Sequence, residues 1–315
     1  MNFKSLPQLL DRFRNEEICI AYYEDLRWGK KPFCPFCRSY KPYKTNRGYK
    51  CSNTDCGKKF TVKIGTIFEN SKIPMRTWFA AIYLCTAHKK GISSVQLSTD
   101  LGITQKTAWF MLHRIREMLK VQAPNILNES SEGIVEVDET YIGGKNKNKH
   151  KKRKPSETPG IANDGKPYKK KSIVIGLVER NGQVVLKHIS SPEKENMIPV
   201  IMDWIPEGSR IMSDEHSAYT SLKKYYTHQT VNHSLKIYVD GEVHTNTIEN
   251  FWSVLKRGLY GIYHQVSDKH LNAYLNEFAA RFNTRVLNAD YRMEEFLLRS
   301  DGALPYKILT KKYDK

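Results

Sequence analysis

The pattern of hydrophobic and polar positions changes partway along the chain. Between residues 72 and 120 apolar residues recur at helical spacing, with a broad apolar face through 75–88 and with Pro74 where a helix start would suit it. Beyond residue 133, short β-branched runs alternate with amphipathic helical segments. This change of period predicts a helical region followed by a mixed α/β domain.

The mixed region opens with three predicted strands. They cover Ile134–Ile142, 172–178 and 183–189, and the last two flank Asn181 and Gly182, a pair typical of a tight hairpin. The predicted elements that follow are a helix over 197–204, a short strand ending at 213, a helix near 217–226, a possible strand at 235–239 and a long helix over 245–259. Three antiparallel strands followed by a helix, a strand and more helices predict a ribonuclease-H-like α/β fold.

The helical region contains the pattern of a helix-turn-helix. Residues 93–116 read as a short helix, a turn at Gly102 and a second helix that Thr104 can cap. A plain helical hairpin is the alternative. If the motif binds DNA, Gln105 and Lys106 begin the recognition helix, the part that usually reaches base edges. The basic side chains further along that are expected to contact phosphates are Arg114, Arg116 and Lys120.

Four of the six cysteines form two close pairs near the start of the chain. They are Cys34, Cys37, Cys51 and Cys56. Paired thiolates at this spacing suit a tetrahedral Zn²⁺ ion, which can stabilise a small fold that has little core of its own. Disulfides are the alternative, and a cytosolic setting disfavours them. The sequence therefore predicts a zinc ribbon, and the two other cysteines are expected to be ordinary buried thiols.

The chain is strongly basic. Its 51 Lys and Arg residues against 33 Asp and Glu residues give a formal net charge of +18, a balance that favours a polyanionic partner and does not bear on the fold. No hydrophobic leader is evident, and no apolar stretch approaches the roughly 20 residues that a membrane span needs. We expect a cytoplasmic, nucleoid-associated protein that acts on double-stranded DNA and not at a membrane.

Three carboxylates occupy settings that a two-metal nucleic-acid enzyme needs. Asp138 lies inside an apolar run, where an ionised side chain is costly unless it pairs or binds a metal. Asp214 follows a predicted strand, and Glu249 lies on the long predicted helix, seven positions before Lys256. An isolated carboxylate is more often a surface or capping group. Together, the three could bind two Mg²⁺ or Mn²⁺ ions, which stabilise charge in phosphodiester chemistry.

A lysine-rich segment, 143–171, separates the first two strands of the mixed region. It cannot build a core, so we expect a flexible basic loop. One interpretation is a solvated tract. The other is a clamp that orders on DNA phosphates, with Lys152 and Arg153 among its contacts, because the segment directly follows the strand that bears Asp138.

The chain resembles the DDE transposases of bacterial insertion sequences, and most closely the ISXO-type group that has a zinc ribbon ahead of the catalytic domain. The resemblance rests on the four ribbon cysteines and on three segments, 135–144 with its basic insertion, 213–219 and 243–257. It implies four parts of the chain. These are an N-terminal helix and zinc ribbon at 1–70, a helix-turn-helix region at 71–125, a catalytic domain at 130–300 that includes the apolar stripe of 262–287, and a tail at 301–315.

The resemblance also implies roles for the acidic residues. Asp138 would bridge both metals, Asp214 would complete one metal site and Glu249 the other. The third ligand varies in this group, and Asn246 lies one turn before Glu249, so it is the alternative ligand. Lys256 would hold a phosphate near the scissile bond, with Arg257 as a weaker candidate. Structural hydrogen bonding is the expected role of three nearby histidines, His216, His233 and His244.

The implied activity is transposition. The enzyme would bind the terminal inverted repeats of the element, cleave the DNA with a metal-bound water and join the freed 3′ hydroxyl to target DNA. Because two ends are joined, a homo-oligomer on DNA is expected. Two alternatives remain open: a domesticated, catalytically silent DNA-binding protein, and a structure-selective nuclease on the same fold.

Overall fold

The structure is a computed structural model that describes residues 3–29, 31–120, 133–143, 171–231 and 241–311.

The helices and strands follow the chain in this order. The helices are α1 (Leu6–Arg12), α2 (Glu16–Trp28), α3 (Met75–Ala87), α4 (Ser94–Leu101), α5 (Gln105–Met118), α6 (Lys194–Trp204), α7 (Asn246–Gly261), α8 (Asp268–Asn283), α9 (Ala289–Leu298) and α10 (Tyr306–Thr310). The strands are β1 (Tyr43–Thr45), β2 (Gly48–Lys50), β3 (Lys59–Phe60), β4 (Ile134–Ile142), β5 (Ser172–Glu179), β6 (Val184–Ile189), β7 (Arg210–Ser213) and β8 (Thr227–Thr230).

The chain divides into two compact units. The first contains Met1–Lys120 and Asn276–Lys315, and the second contains Val121–Leu275. The division falls within α8. Among the described residues, no helix is both long enough and apolar enough to cross a bilayer.

The first unit joins the predicted ribbon and the predicted helix-turn-helix in one apolar core. Strands β1, β2 and β3 form a small antiparallel sheet. Trp28, at the end of α2, packs edge-on against Tyr49 and Phe60 of that sheet, with ring centroids 5.4 and 6.1 Å apart. Phe13 and Phe79 of the helical part meet edge-on at 4.9 Å. The ribbon therefore shares one apolar core with the helices on the other side of the predicted division between 1–70 and 71–125.

The C-terminal segment also belongs to the first unit. Met293 and Phe296 of α9 are buried in the same core as α2 and α3, and the hydroxyl oxygens of Tyr23 and Ser300 lie 2.5 Å apart. The C-terminal part of the segment predicted as catalytic domain, up to residue 300, thus packs within the first unit. The apolar stripe over 262–287 is divided between the units as well, because the second unit ends at Leu275.

The second unit is built on a five-stranded sheet in the order β6-β5-β4-β7-β8. The first three strands are antiparallel, joined by the hairpin that contains Asn181, and β7 and β8 run parallel to β4. This arrangement confirms the predicted ribonuclease-H-like fold class. Strand β4, which carries Asp138, pairs directly with β7, which Asp214 follows.

The two faces of β4 meet different elements. Val135 and Val137 are fully buried in a core with Met197 and Ile201 of α6. Because side chains alternate along a strand, Glu136 and Asp138 lie on the opposite face, where α7 packs. The sheet therefore presents its acidic residues to the helix that carries Glu249.

Two local elements differ from the prediction. The segment near 217–226 forms a 3₁₀ helix, Ser217–Lys224. The strand that extends the sheet is β8, which the sequence pattern did not single out because its four residues are polar and mostly exposed. The possible strand at 235–239 lies outside the described residues.

Candidate active site and metal centres

Strands β4 and β7 place two carboxylates at one edge of the sheet. They pair in parallel, with Glu136 opposite Met212. Asp138 lies two residues beyond Glu136, and Asp214 lies two residues beyond Met212, where β7 has just ended. Equal steps along parallel strands bring both side chains to the same level of the sheet.

Helix α7 completes a cavity of about 530 Å³ over this edge. Its lining residues are Asp138, Glu139, Thr140, Asp214, Thr245, Glu249, Trp252, Ser253 and Lys256. Four of the predicted site residues thus meet around one space: both aspartates, Glu249 and Lys256. Glu249 and Lys256 both line it because seven positions are close to two helical turns. Thr245 donates its hydroxyl to Glu249 Oε1 at 3.2 Å, which orients the carboxylate.

Two other predicted residues do not line this cavity. Asn246 is the exposed first residue of α7. Arg257 is also exposed, and its Nε donates to the carbonyl oxygen of Ser253 at 3.1 Å. The geometry therefore favours Glu249 over Asn246 as the third ligand, and Lys256 over Arg257 as the phosphate contact.

Asp138 is electrostatically unusual. Burial raises the pKa of its carboxyl to about 7, and the negative charges of Glu139 and Asp214 act in the same direction. The hydrogen bond from Trp252 Nε1 to Oδ2, 2.8 Å long, and the backbone N–H of Glu139 oppose the shift by stabilising the anion. A cation at this position would offset the cost of holding the anion there.

The indole that contacts Asp138 depends on a glycine. In the β4–β5 pairing Gly176 lies opposite Asp138. A Cβ atom at residue 176 would lie 2.5 Å from Trp252 Cη2, so any other side chain would displace the ring. Sequence reasoning missed both residues. The available signal was Trp252 at the third position after Glu249, which places it close to the same helix face.

Asp214 is oriented by its own turn. The backbone N–H of His216 donates to Asp214 Oδ1 at 3.1 Å, and His216 Nδ1 accepts from the N–H of Ala218 at 3.2 Å. These bonds match the structural role predicted for His216. His244 also makes structural contacts, described below, and His233 lies outside the described residues.

The donor set suits a hard divalent cation. Four carboxylates line a cavity that has room for water, the three predicted ligands and Glu139, and Mg²⁺ or Mn²⁺ prefers such oxygen ligands together with retained water. Within the described part of the chain, however, the only group of three or more metal-ligating residues whose ligand atoms all lie within 4.8 Å is the set of ribbon cysteines. The carboxylates surround the space more loosely than the four thiols do.

The ribbon cysteines have the dimensions of a zinc site. Cys34 Sγ lies 3.8 Å from Cys56 Sγ, and Cys37 Sγ lies 3.4 Å from Cys51 Sγ. A zinc tetrahedron with Zn–S bonds of about 2.3 Å has edges of about 3.8 Å. All four cysteines are free thiols, so the disulfide alternative is not observed. The four-cysteine cluster supports a structural Zn²⁺, as predicted.

The two helices of the predicted helix-turn-helix and the turn between them form, with Gly102 in the left-handed conformation at φ 63° and Thr104 capping α5. Gln105 and Lys106 are exposed in the first turn of α5. Gln105 Nε2 donates to Ser94 Oγ at 2.8 Å, which holds the two helix starts together.

The prediction that Arg114 contacts DNA phosphates is wrong. Its side chain is buried, and its guanidinium donates to the carbonyl oxygens of Ile67 and Glu69 at 2.7 and 2.8 Å. Arg116 is buried as well and pairs with Glu277 at 2.6 Å, so its expected phosphate contact fails too. The sequence pattern suggested a basic face, because the carbonyl and carboxylate partners of these arginines are distant in sequence and cannot be recognised from the local pattern. Lys152 and Arg153, the candidates from the basic segment, lie outside the described residues.

Comparisons with known proteins agree with this architecture. Residues 131–283 match the ISXO2-like transposase domain, and residues 14–59 match the transposase zinc-ribbon domain. A Halobacterium salinarum protein described as an uncharacterized protein in transposable element ISH50 is 28% identical over 280 residues, which cover 85% of this chain and 91% of the relative.

Among solved structures, the chain is similar to one from a pre-cleavage Mos1 transpososome. The identity is 14%, the coverage is 75% of this chain and 82% of that one, and the TM-score is 0.24, too low to bear on fold or function. The two domain matches and the similarity to the ISH50 protein agree with the ribbon and the acidic cavity. The chain carries an ISXO2-like transposase domain at residues 131–283 behind a transposase zinc-ribbon domain at residues 14–59.

Proposed function

We propose that this protein binds the terminal inverted repeats of an insertion sequence and catalyses metal-dependent cleavage and strand transfer of DNA. The observation that carries the proposal is the convergence of Asp138, Asp214, Glu249 and Lys256 on one cavity from three separate elements. Carboxylates that can hold metal ions and a lysine cation around a solvent-accessible space are the groups that phosphoryl transfer requires.

The carboxylates would hold two divalent cations. Asp138 would contact both, with Asp214 and Glu249 each completing one site. Bound there, Mg²⁺ or Mn²⁺ ions would stabilise the charge that develops on the attacking and leaving oxygens. Metal binding would displace the proton that Asp138 carries in part at neutral pH, because burial raises the pKa of its carboxyl to about 7. Trp252 and Thr245 orient the Asp138 and Glu249 carboxylates by hydrogen bonds.

Lys256 positions the DNA at this site. It lines the cavity two turns after Glu249 and supplies a positive charge to a phosphate oxygen near the scissile bond. Arg257 contacts the flanking backbone from the exposed side of α7. Cleavage and joining use the same groups because both are displacements at phosphorus.

Recognition of the element ends belongs to the first unit. Gln105 and Lys106 extend from the start of α5, the part of a helix-turn-helix that usually reaches base edges. Lys152 and Arg153 of the basic segment would add phosphate contacts, as their sequence position suggests. The substrates are double-stranded DNA ends and a DNA target, so the protein acts at the nucleoid. It works as a homo-oligomer, because two ends must be joined.

A strand-transfer assay tests this proposal. The purified protein is incubated with Mg²⁺ or Mn²⁺, labelled DNA carrying the flanking inverted repeats and a target plasmid. We expect joined products from the wild type and none from Asp138→Ala or Asp214→Ala. Cleavage without joining would indicate a nuclease. Repeat binding with neither reaction would indicate a silent DNA-binding protein.

A further inference from the structure

A second carboxylate lies on the same face of β4 as Asp138. Glu136 is two residues earlier and is completely buried, with a relative accessibility of 0%. It is not among the residues that line the cavity. Burying an ionised carboxylate is costly unless charges and hydrogen bonds compensate it. The partners of Glu136 therefore indicate what the residue does.

Both carboxylate oxygens of Glu136 have several partners. Oε1 accepts from Arg180 Nε at 2.8 Å and from Thr247 Oγ1 at 2.9 Å. Oε2 accepts from the backbone N–H groups of Thr247 at 2.8 Å and Ile248 at 3.0 Å. His244 Nδ1 lies 3.2 Å from Oε1. The arginine and the surrounding donors together offset the cost of burial.

Two of these partners are the first-turn N–H groups of α7. Such groups have no acceptor within their own helix and are usually capped by the residue that precedes it. That residue, Thr245, makes no side-chain cap bond here. Glu136 supplies the acceptor from the neighbouring strand instead, and the positive end of the helix dipole stabilises its charge.

The same ion pair holds the segment that leads into α7. Arg180 donates to the carbonyl oxygens of Glu242 and His244 at 2.8 and 2.9 Å, and to His244 Nδ1 at 3.0 Å. Arg180 and Glu136 therefore secure both the approach to the helix and its first turn.

Helix α7 is thus attached to β4 at two points. Glu136 holds its first turn, and Asp138 holds the next through Trp252. Glu249 lies between these two attachments. We propose that Glu136 is a positioning residue, which sets the register of α7 on β4 and so places Glu249 and Lys256 relative to Asp138. The inference rests on the function proposed for this cavity.

The test is the substitution Glu136→Gln in the full-length protein. Gln offers one acceptor oxygen and turns an N–H₂ group toward the donors, so the first turn of α7 loses an acceptor while side-chain volume is kept. Mn²⁺ affinity is measured by electron paramagnetic resonance of the free ion, and strand transfer is measured against Mn²⁺ concentration. We expect Mn²⁺ affinity to fall about 10- to 100-fold, as for other residues that orient metal ligands.

Two variants separate positioning from stability. Ile201→Val removes a buried methyl group on the opposite face of the sheet and lowers the thermal midpoint without reaching the cavity. It should keep wild-type Mn²⁺ affinity. Thr247→Val removes one hydrogen bond to Glu136 and should weaken Mn²⁺ binding less than Glu136→Gln does. It also serves as the test if Glu136→Gln does not fold.

Measurements are made well below each thermal midpoint, so that folded protein is compared with folded protein. The proposal is overturned if folded Glu136→Gln binds Mn²⁺ with wild-type affinity. If Glu136→Gln does not fold, wild-type affinity in Thr247→Val overturns it. If the wild type binds Mn²⁺ but joins no DNA, the proposed function fails, while the affinities still decide the role of Glu136.

Discussion

Gly176 lies directly across the sheet from Asp138, and the ring of Trp252 occupies the space that a side chain at residue 176 would fill. The indole N–H then reaches Asp138 Oδ2 at 2.8 Å. The arrangement combines a glycine on one strand, an aromatic residue on a helix and an acid on the next strand. The absence of a side chain at residue 176 is therefore a condition for orienting the acid.

Gly176→Ala should impair the site. The Cβ of an alanine at residue 176 would lie 2.5 and 2.6 Å from two carbons of the Trp252 ring and 3.0 Å from Ile248 Cδ1. The ring must move, and the hydrogen bond to Asp138 is lost. We expect a stability loss of about 1–3 kcal/mol from overpacking and a loss of strand-transfer rate of about 10- to 100-fold, measured by urea unfolding and by the joining assay.

Gly261→Ala is the matched control, since residue 261 lies on the same helix as Trp252 and no atom of the described residues lies within 4 Å of the added Cβ. It should keep wild-type activity and gain slightly in stability, because alanine favours a helix over glycine. Trp252→Phe retains a ring but removes the N–H donor and should reduce joining as well. Full activity in Gly176→Ala would show that the indole contact is dispensable.

Asp138 should make stability depend on pH in the metal-free protein. Its pKa is about 7 in the folded state against an ordinary value of 3.8, so ionisation destabilises the fold. The stabilising contribution of the neutral form is complete below about pH 4 and is lost as pH rises toward 7. Asp138→Asn cannot ionise, so its stability relative to wild type should improve between pH 5 and pH 8 by up to about 3 kcal/mol.

Urea unfolding without added divalent cation measures this difference. The quantity to follow is how the stability difference between Asp138→Asn and wild type changes with pH. The substitution also removes an acceptor for Trp252 or Glu139, but that cost is present at every pH. Asp203→Asn, at an exposed position of α6, controls for the loss of one negative charge. A gap between Asp138→Asn and wild type that stays constant from pH 5 to 8 would contradict the assigned pKa.

The parts of the fold that sequence predicted are those with local signals. The alternating run of β4, the Asn181 turn and the paired ribbon cysteines each lie within a few residues. The acids of the cavity were also predictable, because Asp138 is conspicuous in an apolar strand and Glu249 lies seven positions before Lys256. Each of these signals can be read without knowing what the segment packs against.

The rest depends on partners that are distant in sequence. Arg114 resembles a surface cation until Ile67 and Glu69 are brought beside it. Glu136 resembles an isolated polar residue until Ile248 approaches from 112 positions away. Period and spacing describe one segment at a time, so they do not reveal burial or capping that another segment supplies.

Lys106 and Arg114 should behave differently when each is replaced by alanine. Lys106 is exposed at the start of α5, so Lys106→Ala should weaken binding to the repeats and reduce the salt slope of log K by about 1. Arg114→Ala should leave the slope unchanged and destabilise the protein, because it leaves the carbonyls of Ile67 and Glu69 without a donor. The two variants are distinguished by DNA-binding isotherms at several salt concentrations and by their thermal midpoints. An altered slope in Arg114→Ala would count against its buried role.

Zinc should be needed by the whole first unit. Cys34 and Cys51 belong to the same apolar core as the helices, so losing the metal should disturb more than the ribbon. We expect one zinc per chain by elemental analysis in the wild type. Cys51→Ser should abolish it and lower the thermal midpoint, because zinc-binding energy contributes to folding. Cys19→Ala controls for loss of a buried thiol and should keep the zinc. Full zinc content in Cys51→Ser would exclude a four-cysteine site.

The choice between Glu249 and Asn246 can be settled by substitution. Glu249 lines the cavity and accepts a hydrogen bond from Thr245, whereas Asn246 is exposed in the first turn of α7. A carboxylate also attracts a divalent cation more strongly than an amide oxygen does. Glu249→Ala should therefore abolish strand transfer and weaken Mn²⁺ binding, and Glu249→Asp should restore part of both. Asn246→Ala should reduce each by less than about threefold, within the usual effect of an exposed substitution of about 0.5 kcal/mol. The reverse order, with Asn246→Ala inactive and Glu249→Ala active, would make the amide the third ligand and would require the first turn of α7 to rotate toward Asp138 when metal binds.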